Sequence, residues 1–214
     1  MVVMGPAPLP LSLFAVGEPA IEPGAPIERH DLGDGCWFDL GRRWLSGGDA
    51  LLATLVDILP WHRGRRLMWG QWLDEPRLST GVALRAPGTP KVLPAMARAL
   101  SKRYRTRLDS CFCNYYRDGN DSVAWHADRD GRVARNPLVA IVSLGGPRPF
   151  ALRPRGGGRA VHVTLHSGDL LVMGGAMQHR WEHSVPKVHH APPRISVTFR
   201  RRSEGDDDAT DSTG

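Results

Sequence analysis

The stretch AWHADRD, from Ala124 to Asp130, places a histidine and two carboxylates at every second position. Side chains two apart on a strand share a face, so His126, Asp128 and Asp130 are expected to point one way while Trp125 and Ala127 point the other. A mononuclear iron site that activates O2 uses two histidines and one carboxylate on one side of the metal, which leaves the opposite positions open. His126 and Asp128 would be two of these three ligands. A second histidine must come from elsewhere, and the candidates are His162, His166, His179, His183, His189 and His190. QHRWEHSVP puts His179, Trp181 and His183 on one face, so spacing alone leaves His179 and His183 as rivals.

A second constellation lies near the C-terminus. In RISVTFR, Arg194, Ser196, Thr198 and Arg200 alternate with Ile195, Val197 and Phe199, which predicts a polar face and an apolar face on one strand. Two arginines six residues apart stand roughly 20 Å apart along a strand, at about 3.3 Å per residue. Arms of that length reaching inward could hold opposite ends of a small dicarboxylate in the bidentate geometry guanidinium prefers.

From CNYYRDGNDSVAWHADRD through PLVAIVSLGGPRPFALR, LHSGDLLVMGGAMQHRWEHSVPK and PRISVTFR, the chain resembles the AlkB family of iron(II)- and 2-oxoglutarate-dependent dioxygenases, close to its animal repair-type members. The resemblance covers about residues 108–202, with the elements in family order, and extends more weakly to EPRLS. It implies a double-stranded β-helix, or jelly-roll, core. It also implies oxidative demethylation of N-alkylated nucleobases such as 1-methyladenine and 3-methylcytosine in DNA, or RNA, releasing formaldehyde. The cofactors implied are Fe(II), 2-oxoglutarate, converted to succinate and CO2, and O2.

Residue by residue, the resemblance implies His126, Asp128 and His183 as catalytic iron ligands, deciding for His183 over His179. It implies Asn114, Tyr116, Arg194, Ser196 and Arg200 as the 2-oxoglutarate site, with Arg194 toward the distal carboxylate and Arg200 and Asn114 toward the metal. Ser196 departs from the asparagine many AlkB proteins carry there, but Arg-x-Ser resembles the pairing of other 2-oxoglutarate oxygenases. Asp130 matches an acidic position that contacts the exocyclic amine of the damaged base, and an acid suits adenine N6 or cytosine N4. On the substrate side, RGRRLMWGQW offers cations for phosphates, with Trp69 and Trp72 as candidates for stacking on a flipped base. Arg77 falls in a Pro-Arg-Leu motif like the family's, although GVALRAPGTP replaces the tyrosine-rich continuation. Two other readings fit parts of this pattern: a related oxygenase acting on a protein or small molecule, and a non-catalytic nucleic-acid-binding module.

Elements able to position these residues are visible along the chain. Leu51, Leu52, Leu55, Val56 and Leu59 recur at helical spacing after Ser46, a candidate cap, and before Pro60. Leu93, Met96, Leu100 and Tyr104 predict a second helix with bases on its other side. From Cys111 the texture changes to eight short alternating runs separated by Gly, Asp, Asn and Pro, which predicts an antiparallel sandwich or barrel. The expected class is α+β, with helices packed on one face of the jelly roll. The expected organisation is a Pro- and Gly-rich extension at residues 1–33, extended or loosely packed, then helical support and a nucleotide-recognition lid at 34–107. The dioxygenase core at 108–202 and an acidic disordered tail at 203–214 complete it.

Composition bounds the partners. The 214 residues carry a net charge of +6, but the tail from Ser203 holds five acids and no base. Residues 1–202 therefore set 28 basic against 17 acidic side chains, a balance of +11 that suits a polyanion such as nucleic acid. No apolar run approaches the roughly 18–20 residues of a membrane span, and the proline-broken N-terminus reads poorly as a signal peptide. Expectations are thus a cytoplasmic monomer with no membrane partner. Cys36, Cys111 and Cys113 are expected as buried reduced thiols, since CFC has neither the spacing nor the second pair of a structural zinc site.

Overall fold

The computed structural model describes residues 17–68, 70–128 and 137–201. Helix α1, Gly48–Ile58, buries Leu51, Leu52 and Leu55, the apolar face its spacing predicts. Its start differs from expectation. Ser46 lies in β4 (Leu45–Ser46), paired with β1 (Ala20–Ile21), and its hydroxyl donates to the Ala20 carbonyl at 3.2 Å instead of capping the helix. Gly47, at φ 63°, makes the turn into α1. The helix ends where Leu59, ahead of Pro60, is pushed into extended backbone. Helix α2, Val92–Tyr104, buries Leu93, Met96, Ala97 and Leu100, with Lys102 and Arg103 in its last turn, where cations complement the helix dipole.

Among the described residues, fourteen strands form around these helices. The large sheet contains β2 (Ile27–Asp31), β3 (Cys36–Gly41), β5 (His62–Met68), β6 (Gln71–Val82), β7 (Ser110–Tyr116), β9 (Val139–Gly145), β12 (Leu170–Gly175) and β14 (Arg194–Arg200). Their order is β2-β3-β12-β9-β14-β7-β6-β5. The small sheet is β11-β10-β13-β8, formed by β8 (Val123–His126), β10 (Arg148–Pro154), β11 (Val161–Leu165) and β13 (Trp181–Val185).

Alternation along the central strands assigns each residue to one of two cores. Cys111 and Cys113, Ala140, Val142 and Leu144, Leu170 and Val172, and Ile195, Val197 and Phe199 meet the helices. The intervening Tyr116, Val139, Ile141, Leu171 and Met173 face the small sheet with Phe150, Leu152, Val163 and Val185. Both faces of the large sheet are covered at its centre, which is why β9 is buried from Val139 to Leu144. This is the double-stranded β-helix with helices on one face. All three cysteines are buried free thiols.

Two expectations are corrected. Part of the loosely packed extension is structured, because β2 pairs with β3 from Ile27–Gly41 to Asp31–Trp37 and forms one edge of the large sheet. An edge strand is held by backbone pairing more than by burial, so its charged sequence, IERHD, hides it. The support region 34–107 is also not only helical, since β3, β5 and β6 join the same sheet as the core strands. The acidic tail lies outside the described residues.

Candidate metal and cosubstrate site

The register of the small sheet builds the first half of the site. His126, the last residue of β8, stands directly across from His183 in β13, and opposed antiparallel residues bring their side chains within contact. The two rings lie 4.2 Å apart between centroids. Asp128, just past the end of β8, sends Oδ1 to 4.0 Å from His126 Nε2 and Oδ2 to 3.8 Å from His183 Nε2. One ligand atom from each residue lies within 4.8 Å of the others, the only such group of three or more among the described residues.

Hydrogen bonds orient these groups. His126 Nδ1 donates to the Ala124 carbonyl at 2.9 Å, which fixes the tautomer and leaves the Nε2 lone pair for a metal. The Asp128 N–H donates to the side-chain oxygen of buried Gln178 at 3.0 Å. Gln178 comes from α3, a single turn over Met177–Arg180, and nothing in the spacing of the sequence pointed to it. Phe150 stacks on the His183 ring at 5.5 Å and 18°.

Burial, and secondarily the nearby His126, depresses the His183 pKa from 6.5 to about 3, so this imidazole is neutral at pH 7, the form a metal requires. Burial pushes the Asp128 carboxyl up, while His126 and Arg200 pull it down. The consequence for stability follows from proton counting. Between about pH 3 and 6.5 the unfolded His183 binds a proton that the folded one does not, so stability rises with pH across that window. Metal-free protein is therefore expected to unfold at lower denaturant at pH 5 than at pH 7. The shift should shrink in His183→Gln, and equal shifts in both proteins would refute the assignment.

The large sheet builds the other half. In the β14–β7 register, Arg194 is opposite Tyr116 and Ser196 is opposite Asn114, which sets four of the predicted cosubstrate residues as a two-by-two patch on the inner face. Arg194 is fully buried, donates Nε to Ser143 Oγ at 2.9 Å and lies 5.1 Å from the Tyr116 ring centroid. Its Nη1 has no hydrogen-bond partner among the described residues. A buried guanidinium with an idle donor and no facing carboxylate is costly, and a ligand carboxylate relieves that cost. Asn114, Tyr116, Arg194, Ser196 and Arg200 line one cavity of about 400 Å³ together with His126, Asp128 and His183. Two imidazoles beside a carboxylate suit Fe(II), and the idle donor suits a dicarboxylate, so the residues present fit both groups.

The rival histidines are dispersed. His179 is exposed on α3, where the short helix takes it out of the strand alternation its spacing suggested. His162 and His166 are exposed at β11, and His189 and His190 are exposed in the loop before β14. On the substrate side, β5 and β6 form a hairpin, and Arg77 sits in the cavity wall. Arg77 donates Nε to Asn114 Oδ1 at 2.8 Å, so the amide group left for a cosubstrate carboxylate is the Asn114 Nδ2 donor. Trp72 is 60% exposed and stands apart from the cavity wall, with the Arg65 guanidinium 5.9 Å from its ring. Trp69 and Asp130 lie outside the described residues.

Residues 76–200 match the family model of the 2OG-Fe(II) oxygenase superfamily. The chain is similar to the alpha-ketoglutarate-dependent dioxygenase alkB homolog 3 of Bos taurus, 41% identical over 177 residues, 73% of this chain and 62% of the relative. It is also 32% identical over 236 aligned positions to the DNA oxidative demethylase ALKBH2 of Arabidopsis thaliana, covering 88% of this chain and 74% of that one. The chain thus spans 60–62% of the length of the alkB homolog 3 relatives it matches. The fold is shared with a prolyl hydroxylase from Trichoplax adhaerens, solved in complex with a hypoxia inducible factor peptide, at a TM-score of 0.57 and 14% identity over 76% of this chain and 82% of that one. Matched through its core strands by the superfamily model and over most of its length by a relative of this kind, the chain belongs to the AlkB family of 2OG-Fe(II) oxygenases.

Proposed function

We propose that this chain is an Fe(II)- and 2-oxoglutarate-dependent demethylase of N-alkylated nucleobases, of the 1-methyladenine and 3-methylcytosine type, in DNA or RNA. The observation that carries this reading is one cavity with His126, Asp128 and His183 on the small-sheet wall and a buried, under-bonded Arg194 on the large-sheet wall. Relatives named as a DNA oxidative demethylase and as alkB homolog 3, together with the +11 balance of residues 1–202, support nucleic acid as the substrate.

His126, Asp128 and His183 would hold the iron. Arg194, with Ser196 and Tyr116, receives the distal carboxylate of 2-oxoglutarate, while Asn114 and Arg200 orient the end nearer the metal. When bound, the iron would supply O2-dependent hydroxylation of the N-methyl carbon, coupled to conversion of 2-oxoglutarate to succinate and CO2. The product loses formaldehyde and returns the unmodified base. The apolar wall, including Phe150, Val123 and Val185, limits water around the reacting carbon. Asp130 and Trp69 belong to the substrate side of this reading, as does Trp72, which would stack on the nucleic acid from the hairpin. Three buried free thiols suit a reducing, intracellular setting, and a single domain of this kind is read as a monomer. No helix among the described residues is long and apolar enough to cross a membrane.

The test is formaldehyde release from a single-stranded oligonucleotide carrying one 1-methyladenine, with Fe(II), ascorbate and 2-oxoglutarate. Stoichiometric formaldehyde and succinate are expected. Succinate formed with methylated peptides or other small molecules, but no formaldehyde from any methylated oligonucleotide, would transfer the activity to another substrate class.

A further inference from the structure

Helix α2 and its turn into β7 carry a second charged surface, outside the cavity wall. From Lys91 to Asp109 the chain sets six cations, Lys91, Arg98, Lys102, Arg103, Arg105 and Arg107, against one acid, Asp109. All six are exposed, as is Arg201 just past β14. Arg107 is paired with Asp109 at 2.6 Å, whereas Lys102, Arg103, Arg105 and Arg201 take part in no ion pair among the described residues. The helix dipole accounts for cations in the last turn, Lys102 and Arg103, but its effect ends there and does not reach Arg107 or Arg201.

Strand register sets this cluster at the metal end of the large sheet. β14 and β7 pair from Arg194–Tyr116 to Arg200–Ser110, and Arg200 lines the cavity with Asp128, on which its charge acts. Ser110 is three residues beyond Arg107, at most about 10 Å of extended chain, and Arg201 directly follows Arg200. Cations from two separate segments thus converge on one end of the sheet. Tyr104 anchors the last turn of α2 by donating its hydroxyl to Asp39 Oδ2 at 2.9 Å, with the Arg103 guanidinium 5.8 Å from its ring centroid. Lys91 and Arg98 lie back along the helix, Lys91 about 20 Å from Tyr104 at 1.5 Å per residue.

We propose that Lys102, Arg103, Arg105 and Arg201 form a phosphate-binding surface that holds the nucleic-acid backbone flanking the base in the cavity. The inference rests on the nucleobase reading above and adds to it a contact region on the helical face. Exposed cations without acidic partners are free to take phosphates, and each contact releases counterions from the nucleic acid, which makes such binding strongly salt-dependent. Phosphate contacts position a strand without reading its sequence. The surface therefore acts on strands long enough to leave the cavity and reach this end of the sheet, methylated or not.

The test compares wild type with Arg103→Gln/Arg105→Asn and, as a charge-matched control, Lys91→Gln/Arg98→Gln. Asparagine suits position 105, where the backbone is left-handed at φ 49°. Binding of single strands of five and fifteen nucleotides, each with one 3-methylcytosine or none, is followed by fluorescence anisotropy in Mn(II)-loaded protein over a range of salt, beside formaldehyde release with Fe(II) and 2-oxoglutarate. For the Arg103/Arg105 variant the expected result is about tenfold weaker binding of both fifteen-nucleotide strands and a salt slope smaller by about one to two, with the five-nucleotide strands bound as by wild type. The control should match wild type throughout. Equal loss in the control overturns the inference, because net charge alone would then be acting. Equal loss on both lengths also overturns it, since the effect would then lie in the cavity. Unchanged binding overturns it as well, and lower stability of the variant at low salt would then assign these cations to the acids that follow Ser203. Absence of formaldehyde from every methylated strand with wild type, while binding keeps its dependence on length and on Arg103 and Arg105, would refute the nucleobase reading and leave the surface standing.

Discussion

His183→Ala is expected to reduce iron binding and 2-oxoglutarate turnover to background, while His179→Ala leaves both within a factor of about two. The two histidines are four residues apart and spacing in an extended strand does not separate them, but they occupy different structures. His183 is buried in β13 opposite His126, with its Nε2 3.8 Å from Asp128, whereas His179 projects from the turn of α3 into solvent. Losing a group that merely orients a metal ligand costs about 10- to 100-fold in affinity, so losing one of three ligands should exceed that. Titration with a redox-stable divalent ion such as Mn(II), beside succinate formation, reads both quantities. Retention of metal by His183→Ala, or equal loss in both variants, would sink the three-residue assignment.

Arg194→Met is expected to separate cosubstrate binding from stability. In the wild type the Arg194 guanidinium is buried, burial lowers its pKa, the neighbouring Arg148 lowers it further, and Nη1 lacks a partner among the described residues. Truncating one member of a buried charge pair costs about 2–5 kcal/mol, so the KM for 2-oxoglutarate should rise by roughly two to three orders of magnitude. The metal-free protein should lose little stability, or gain some, because an apolar side chain of similar length replaces an under-bonded buried cation. Denaturant unfolding without cosubstrate and a 2-oxoglutarate titration with iron give the two numbers. A normal KM would remove Arg194 from the cosubstrate site. A normal KM ratio combined with a large loss of stability would make it a purely structural residue.

The chemistry of the site was legible in the sequence wherever one strand carries it. Alternation alone put His126 with Asp128, and Arg194 with Ser196 and Arg200, because a strand's period of two is a local property that no distant residue alters. The two helices were legible for the same reason, their apolar positions recurring at 3.6 residues, and so were the eight core strands. Motifs and their order sufficed for the family.

What required the tertiary structure is everything that depends on which strands become neighbours. The pairing of β13 with β8 sets His183 opposite His126, and the pairing of β14 with β7 sets Arg194 opposite Tyr116. Gln178 reaches Asp128 across 50 residues, and Arg77 reaches Asn114 across 37. β2 was hidden because an edge strand is stabilised by backbone bonds that carry no side-chain signature, and α3 was hidden because four residues are too few to display a helical period. Local periodicity thus determined which residues could act on each strand, and long-range strand register decided which of them meet, since register is set by the packing of the whole sheet and not by any one segment.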